Sequence, residues 1–288
     1  MVLRSLAVPA VAALTLALAP LPRPDRPPAV TPLTAAPAGG ERPSIAEWES
    51  LVAADPVAAL SAARDRYAAE VTGVRMVMLK QERLNGELQP PEVVDVLLRE
   101  SPYAVRMLWR SGSRKVLGTA VEGTLYAAGE NAGRMTVWRP TAFASFLRYY
   151  DLSPTDAPAR SASRYSLTEA GLGHTLGRTA AAWGRAGTPG AIDYLGCHES
   201  PDFGGRRCHV LRRTCTPPEG DRFLTADPEP SGDAFATATI TLDAETWLQV
   251  GAELRRADGE LVGRYHFRDV VLNPPLTATD FTRDALAR

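Results

Sequence analysis

The fold is decided by the stretch from Val71 to Arg99, which reads VTGVRMVMLKQERLNGELQPPEVVDVLLR. Residues 71–84 include many residue types with high strand propensity, and the pair Asn85-Gly86 favours a tight turn. The returning strand is expected over residues 93–99. The stretch therefore predicts an antiparallel hairpin at the start of a β-rich body.

Short strand patterns separated by Gly, Pro, Asn and Asp continue after this hairpin. We expect strands over residues 103–110, 116–121, 124–128, 134–138, 192–197, 207–213, 236–242, 248–255 and 261–271. This spacing of strands and turns is typical of an antiparallel meander.

Helical patterns precede the strands and interrupt them. Ser44 is expected to cap one or two amphipathic helices that are broken at Asp55-Pro56. We also expect helices over residues 141–150, 166–186 and 277–287. Strands and helices grouped in this way predict an α+β fold, in which helices cover one face of a strongly curved antiparallel sheet of about 10–11 strands. Such a sheet lacks the crevice in which parallel α/β folds bind nucleotides.

The N-terminal residues have the pattern of a secretory leader. Arg4 precedes an apolar run from Leu6 to Leu18 that is too short to span a bilayer. We predict a signal peptide over residues 1–19, a disordered Pro/Ala-rich linker over residues 20–43 and a single domain over residues 44–288. Export to the periplasm follows, or anchoring to the inner membrane if the leader is retained.

The charge balance argues against a nucleic-acid partner. The chain has 32 Lys plus Arg against 33 Asp plus Glu, a net charge of −1 at pH 7. A nearly neutral protein has no long-range field to attract a polyanion. We therefore predict no nucleic-acid binding.

Four motifs spread along the chain carry a family resemblance. They are KQER at residues 80–83 with Gly86, SPYAVRMLW at residues 101–109, Tyr126 ahead of GEN at residues 129–131, and RYSLTEAGLG at residues 164–173. Together they resemble the exported bacterial proteins grouped as domain of unknown function 1571, over roughly residues 50–285. The stretch 265–274, with Leu276 and Phe281, is similar to the closing strand of the periplasmic lipoprotein-carrier superfamily. This second resemblance implies a half-barrel that holds an acyl chain or other lipid under its covering helices.

Alternation along the first strands groups apolar side chains on one face. Met76 and Met78 share a face of the first strand, and Val105, Met107 and Trp109 share a face of the third. Flexible methionines beside an aromatic residue suit an adaptable apolar cavity, so these five are candidate cavity residues. The alternative is that they form an ordinary packed core.

Charged residues near these positions could hold the polar end of a ligand. Glu82 could meet Arg83, Lys80 or Arg106 across the first hairpins. Our candidates for a head-group anchor are Glu82 and Arg106, as an inward-facing charged pair beside the cavity. A surface ion pair of little energetic value is the alternative.

Thiols and imidazoles are concentrated between residues 197 and 215. Neighbouring residues of a strand point to opposite faces, so neither Cys197-His198 nor Cys208-His209 is expected to bind one ion. We predict no metal site and no cofactor. In an oxidising compartment a disulfide between Cys197 and Cys208 is the simpler account, with Cys215 as an alternative partner.

A serine hydrolase is the enzyme alternative. His174 or His266 would act as the base, and the candidate nucleophiles are Ser111, Ser166 and Ser200. None of these serines lies in a nucleophile-elbow pattern, so the sequence predicts no catalytic centre.

The function predicted from sequence is a non-catalytic periplasmic binding or carrier protein. Its expected partner is a hydrophobic small molecule, a lipid or a lipidated protein, with peripheral membrane contact and a monomeric state. The alternatives are an envelope scaffold without a ligand cavity and the serine hydrolase.

Overall fold

The computed structural model describes residues 43–116, 119–140, 148–185, 191–219 and 234–287. Within these ranges the chain forms a 12-stranded antiparallel sheet, a separate two-stranded hairpin and four α-helices. The predicted signal peptide and the linker up to residue 42 lie outside the described residues, as do residues 141–147 of a predicted helix. None of the described helices combines the length and the apolar character that a membrane span requires.

The bounds of the elements are as follows. The helices are α1 (Ile45–Ala54), α2 (Pro56–Glu70), α3 (Ala157–Ala162) and α4 (Leu172–Trp183). The first strands are β1 (Gly73–Leu84), β2 (Glu87–Leu88), β3 (Glu92–Arg99), β4 (Ala104–Ser111), β5 (Lys115–Val116), β6 (Thr119–Ala120), β7 (Gly123–Ala127), β8 (Met135–Trp138) and β9 (Tyr149–Leu152). The later strands are β10 (Ile192–Ser200), β11 (Arg206–Glu219), β12 (Phe235–Asp243), β13 (Gln249–Arg255) and β14 (Leu261–Leu272).

The order of the strands places the first and the last of them side by side. The sheet runs β10-β11-β12-β13-β14-β1-β3-β4-β7-β8-β9, with β2 paired to β1, whereas β5 and β6 pair only with each other. All of these pairs are antiparallel. The predicted α+β fold with one large antiparallel sheet and helices is confirmed.

Local signals fix the N-terminal helices as the sequence predicted. Ser44 and Glu47 form a reciprocal capping box at the start of α1. Asp55 then ends α1 and caps α2, because its side chain accepts a hydrogen bond from the backbone N–H of Ala58 at 3.0 Å. Pro56 occupies the first turn of α2, where its missing N–H costs nothing.

Several predicted elements differ from those observed. The single strand expected over residues 116–121 is replaced by β5 and β6, and Tyr149 begins strand β9 where a helix was expected to end. The helix expected from Ser166 begins only at Leu172, because Gly171 has a φ of +104° that no helix accommodates. The C-terminal helix consists instead of two short 3₁₀ turns, Ala278–Phe281 and Arg283–Leu286.

Two of the three apolar clusters lie on opposite faces of the sheet. The larger one packs α1, α2 and α4 against the sheet and includes Trp48, Leu60, Leu98 and Leu176, all fully buried. On the other face the two 3₁₀ turns near the C-terminus pack against β4 and β7. Among the described residues the α-helices therefore cover one face, and that face holds the cavity described below.

Gly112 is required where β4 ends, and its replacement gives a direct test of the chain path there. The residue has a φ of +76°, and an added Cβ would collide with the backbone carbonyl of Pro91. We expect Gly112→Ala to lower the free energy of unfolding by about 2–4 kcal/mol, from left-handed strain plus the clash. Urea denaturation measures this change.

Gly86 is the matched control for that substitution. Its φ is +83°, but an added Cβ meets nothing within 4 Å. Gly86→Ala should therefore cost only the conformational strain, about 1 kcal/mol. Equal losses in the two variants would contradict the close approach of Gly112 to Pro91.

Candidate ligand-binding cavity

A cavity of about 310 Å³ lies between the sheet and the helices that cover it. Strand register explains how distant residues reach it, since directly paired residues share a face of the sheet. The lining residues from the sheet include Ala238, Ile240, Ala252, Leu254, Tyr265, Phe267, Met76, Met78, Met107, Trp109, Thr124, Met135, Val137, Tyr150 and Leu152. Residues of α3, α4 and the segment between them close the opposite side.

The structure places four of the five predicted cavity residues at this wall. Met76, Met78, Met107 and Trp109 all line the cavity. Val105 does not line it, although it shares the face. It pairs with Leu98 and is fully buried in the core.

Charged side chains form a buried cluster at the wall, which we call the charged cluster and define as Lys80, Glu82, Glu92 and Arg114. The Nζ atom of Lys80 lies 3.1 Å from Oε2 of Glu82 and 3.5 Å from Oε2 of Glu92. Arg114 bridges the same two carboxylates, at 3.9 Å from Glu82 and 3.5 Å from Glu92. Two cations and two anions therefore compensate one another in a largely buried site.

Further hydrogen bonds fix the two carboxylates of the charged cluster. The phenol of Tyr265 donates to Oε1 of Glu82 at 2.8 Å, and the indole N–H of Trp109 donates to Oε2 of Glu92 at 2.6 Å. The hydroxyl of Ser163 lies 3.3 Å from Oε2 of Glu82. These contacts link β1, β3, β4 and β14 to the segment after α3.

The environment keeps Glu82 and Lys80 ionised. Burial alone would raise the pKa of Glu82, but the charge of Lys80 and the hydrogen bond from Tyr265 outweigh it, so the pKa lies below its ordinary value. Burial would likewise lower the pKa of Lys80, yet Glu82 and Glu92 raise it above the ordinary lysine value. Burial and the charge of Glu82 also raise the pKa of Tyr265, which keeps the phenol protonated as a donor.

The predicted pairing of Glu82 with Arg106 is wrong. Arg106 precedes Met107 in β4 and therefore points to the opposite face of the sheet. Its guanidinium donates to the backbone carbonyls of Asp280 and Ala285, both at 3.2 Å, and so secures the C-terminal turns. Lys80 and Arg114 take the position expected for Arg106. Strand alternation indicated Lys80, because it lies two positions after Met78 in β1 and therefore faces the same side of the sheet. Nothing in the sequence indicated Arg114.

The expected disulfide between Cys197 and Cys208 is not formed. None of the three cysteines, Cys197, Cys208 and Cys215, is joined in a disulfide. Cys197 pairs with His209 across the β10–β11 ladder, and Cys208 pairs with His198, so the two cysteines are one position out of register. The register shift between Tyr194 and Cys197 sets this offset.

The candidate catalytic histidines lie in separate packing environments. His174 packs edge-on against the ring of Tyr103, with 5.3 Å between centroids, and His266 packs in the same manner against Phe203 at 5.2 Å. Within the described ranges, neither histidine is hydrogen-bonded to Ser111, Ser166 or Ser200. The described residues therefore bring together no Ser–His pair of the kind that a serine hydrolase needs.

Comparison with solved structures returns proteins of low sequence identity. Lipoprotein LppX of Mycobacterium tuberculosis is 14% identical, with 78% of this chain and 99% of that chain covered at a TM-score of 0.44. A LolA superfamily protein of Nitrosomonas europaea is 10% identical. The match covers 80% of this chain and 98% of that chain, with a TM-score of 0.32. The match in the MucA/MucB complex of Pseudomonas aeruginosa is 14% identical. It covers 79% of this chain and 62% of that chain, with a TM-score of 0.40.

Comparison with sequence families gives a direct assignment. No curated protein matches the chain. The model of one family, described as a protein of unknown function (DUF1571), matches residues 71–286, from the start of the β-rich body to the last 3₁₀ turn. This match covers most of the chain, and the chain therefore belongs to the DUF1571 family.

Proposed function

We propose that this protein is a non-catalytic binding or carrier protein for an amphiphile with an anionic head group. The observation that carries this proposal is the cavity of about 310 Å³, which combines an apolar wall with buried charged groups. A lipid, or the acyl chain of a lipidated protein, has this combination of an apolar tail and a polar end.

The apolar wall supports binding of a hydrophobic tail. The volume lies at the lower end of the range for small-molecule sites, roughly 300–1,000 Å³. Four of the five methionines in the chain line this cavity, namely Met76, Met78, Met107 and Met135. Methionine side chains are flexible and polarisable, so they adapt to tails of different shape.

The charges of the lining residues favour an anionic head group. The basic lining residues are Lys80, Arg114, Arg160, Arg164, Arg178, Arg185 and Arg213, whereas the acidic ones are Glu82, Glu92 and Glu169. Arg164, Arg178 and Arg213 are at most 7% exposed, in a setting where a charge acts strongly. A carboxylate or phosphate is the head group that suits a wall with more basic than acidic side chains among its described residues.

Two polar groups at the wall have hydrogen-bonding capacity left for a ligand. The hydroxyl of Thr124 is buried without a hydrogen-bond partner among the described residues. Two guanidinium nitrogens of Arg114 lie within ion-pair distance of carboxylates but likewise make no hydrogen bond there. Buried donors of this kind are normally satisfied, so they are consistent with a site that a polar ligand completes.

The proposed location is the periplasm, and its support comes from the leader pattern at residues 1–19. The proposed organisation is this leader, a linker over residues 20–43 and one domain over residues 44–288, which we expect to be monomeric. An envelope scaffold with a filled core is the competing function, and the cavity argues against it.

Native mass spectrometry of the protein from an exported preparation tests the proposal. We expect a bound species of lipid mass at close to one per chain, which organic extraction releases and negative-ion fragmentation identifies by its carboxylate or phosphate. Protein that is free of lipid after gentle purification, and that binds no fluorescent fatty acid, would overturn the proposal.

A substitution that fills the cavity should weaken binding selectively. Met78→Trp places a larger ring at the wall, and we expect it to raise the Kd for a dansyl-labelled undecanoic acid about tenfold, a loss of about 1.4 kcal/mol. Fluorescence titration measures this change.

Arg75→Trp is the matched control for the filled cavity. Arg75 belongs to the same strand, is exposed and does not line the cavity. The same new side chain at this position should leave the Kd unchanged. Equal effects of the two tryptophans would argue that the fatty acid binds elsewhere.

A further inference from the structure

Three side chains of metal-ligand type converge outside the cavity wall. Glu49 of α1, Cys197 of β10 and His209 of β11 place a carboxylate oxygen, a sulfur and a ring nitrogen within 4.8 Å of one another. His209 is fully buried, whereas Glu49 is about one-third exposed. We call these three residues the Glu–Cys–His cluster.

Strand register and helix docking assemble this cluster. Gly196 has a φ of +101°, and the ladder shifts its register between Tyr194 and Cys197. The shift puts Cys197 directly opposite His209, so both side chains share a face of the sheet. Glu49 approaches from helix α1, because the preceding residue, Trp48, packs edge-on against the His209 ring with 5.1 Å between centroids.

The imidazole of His209 is oriented as a metal-ligating histidine is. Its Nδ1 atom is hydrogen-bonded to the phenol of Tyr194 at 3.0 Å. Its Nε2 atom is buried, finds no hydrogen-bond partner among the described residues and lies 3.9 Å from Oε1 of Glu49. A fixed Nδ1 with Nε2 left for an ion is the usual outer-shell arrangement of a metal site.

Leaving Nε2 unsatisfied in the folded protein is costly. A buried polar atom without a partner costs about 1–3 kcal/mol, so native structures rarely retain one without reason. An ion at Nε2 would satisfy this atom and would also engage the thiolate and the carboxylate.

We propose that Glu49, Cys197 and His209 bind a divalent ion of the zinc class, with a fourth position open to solvent. Sulfur, imidazole and carboxylate are the ligands that Zn²⁺ takes in proteins, and three of them leave one tetrahedral position for water. Ligand atoms around tetrahedral Zn²⁺ are about 3.5 Å apart, so the 4.8 Å span contracts by about 1 Å on binding.

One neighbouring cation competes with the ion. Arg207 donates to Oε1 of Glu49 at 3.3 Å, but its own side chain is 62% exposed. Both partners lie near solvent, where such an ion pair is worth little. The carboxylate of Glu49 therefore turns from Arg207 to the ion at a small cost in free energy. This movement brings the three ligand atoms closer together than their present 4.8 Å span.

Cobalt spectroscopy on the untagged, metal-free protein tests the site. We expect Co²⁺ to produce a thiolate-to-metal charge-transfer band and visible bands of tetrahedral cobalt, saturating at one ion per chain, with Zn²⁺ displacing it. Binding without the thiolate band, or only at millimolar cobalt, would overturn the proposal.

Variants separate the cluster from incidental thiol or histidine binding. We expect Cys197→Ser to abolish the charge-transfer band, and Glu49→Gln, at a helix position that is about one-third exposed, to raise the Kd for Zn²⁺ at least tenfold. Tyr194→Phe should weaken binding about tenfold through the freed imidazole. His198→Gln, next to Cys197 but on the other face, is the control that should change nothing, and a band retained in Cys197→Ser would refute the assignment.

Discussion

Replacement of Glu82 by glutamine is expected to lower the free energy of unfolding by about 3–5 kcal/mol, as for other buried ion pairs that lose one partner. Glu82 is 1% exposed and lies within 3.1 Å of Lys80. The variant leaves Lys80 and Arg114 to share the single carboxylate of Glu92, and it also removes the anion that accepts the hydrogen bond of Tyr265. Urea denaturation at neutral pH measures the loss.

Asp95→Asn is the matched control for this substitution. Asp95 forms an ion pair with Arg110, but both side chains are more than 40% exposed. Exposed pairs contribute about 0–1 kcal/mol, so the control should lose no more than that. A loss below 1 kcal/mol for Glu82→Gln would show that the charged cluster is solvated in solution.

The stabilisation by Glu82 should also depend on pH, with a sign that follows from the shifted pKa values. The folded-state pKa of Glu82 lies below the ordinary value of 4.5, so its contribution is present above that value and is lost as the pH falls through the folded pKa. The pKa of Lys80 is raised above 10.5, so its contribution is lost only as the pH rises through the raised value. The difference between wild type and variant should therefore be flat near neutrality and decrease at both extremes.

The second large effect is expected from Trp48→Ala, which should cost about 3–5 kcal/mol, as other deletions of buried tryptophans do. Trp48 is fully buried and stacks on Trp247 with 4.9 Å between centroids and 4° between ring planes. Its removal leaves a cavity between α1 and the sheet. Thermal and urea unfolding both report this loss.

Ile45→Ala is the control for Trp48 within the same helix. Ile45 is 55% exposed, so its truncation should change the free energy of unfolding by no more than about 0.5 kcal/mol. Alanine is the best helix former, so neither substitution loses helix propensity, and a loss for Trp48→Ala no larger than that for Ile45→Ala would contradict the docking of Trp48.

The fold was largely predictable because its signals are local. Asn85-Gly86 sets a hairpin turn, and Ser44 and Asp55-Pro56 set the ends of two helices. These positions act through their own backbone angles and caps, which a sequence displays directly. Gly171 shows the opposite case, since its positive φ stops a helix whose apolar spacing continues across it.

The site was predictable only where strand alternation decides it. Alternation within a strand grouped Met76 with Met78 and Met107 with Trp109. It would also have excluded Arg106, which adjoins Met107 and must face the other way. Cross-strand neighbours were not readable in this way, because a one-residue register shift decides whether Cys197 faces Cys208 or His209.

The pairing of β1 with β14 determines when the sheet can be completed. These strands join residues that are about 190 positions apart, and loop closure over such a distance slows folding. The strands β10 to β13 lie on one side of the β14–β1 pair, and the strands β3 to β9 lie on the other. These two parts of the sheet stay unjoined until β14, the last strand, has been synthesised. The centre of the sheet is therefore the last part to form. A chain interrupted before residue 261 would leave one edge of β1 unpaired and prone to aggregation.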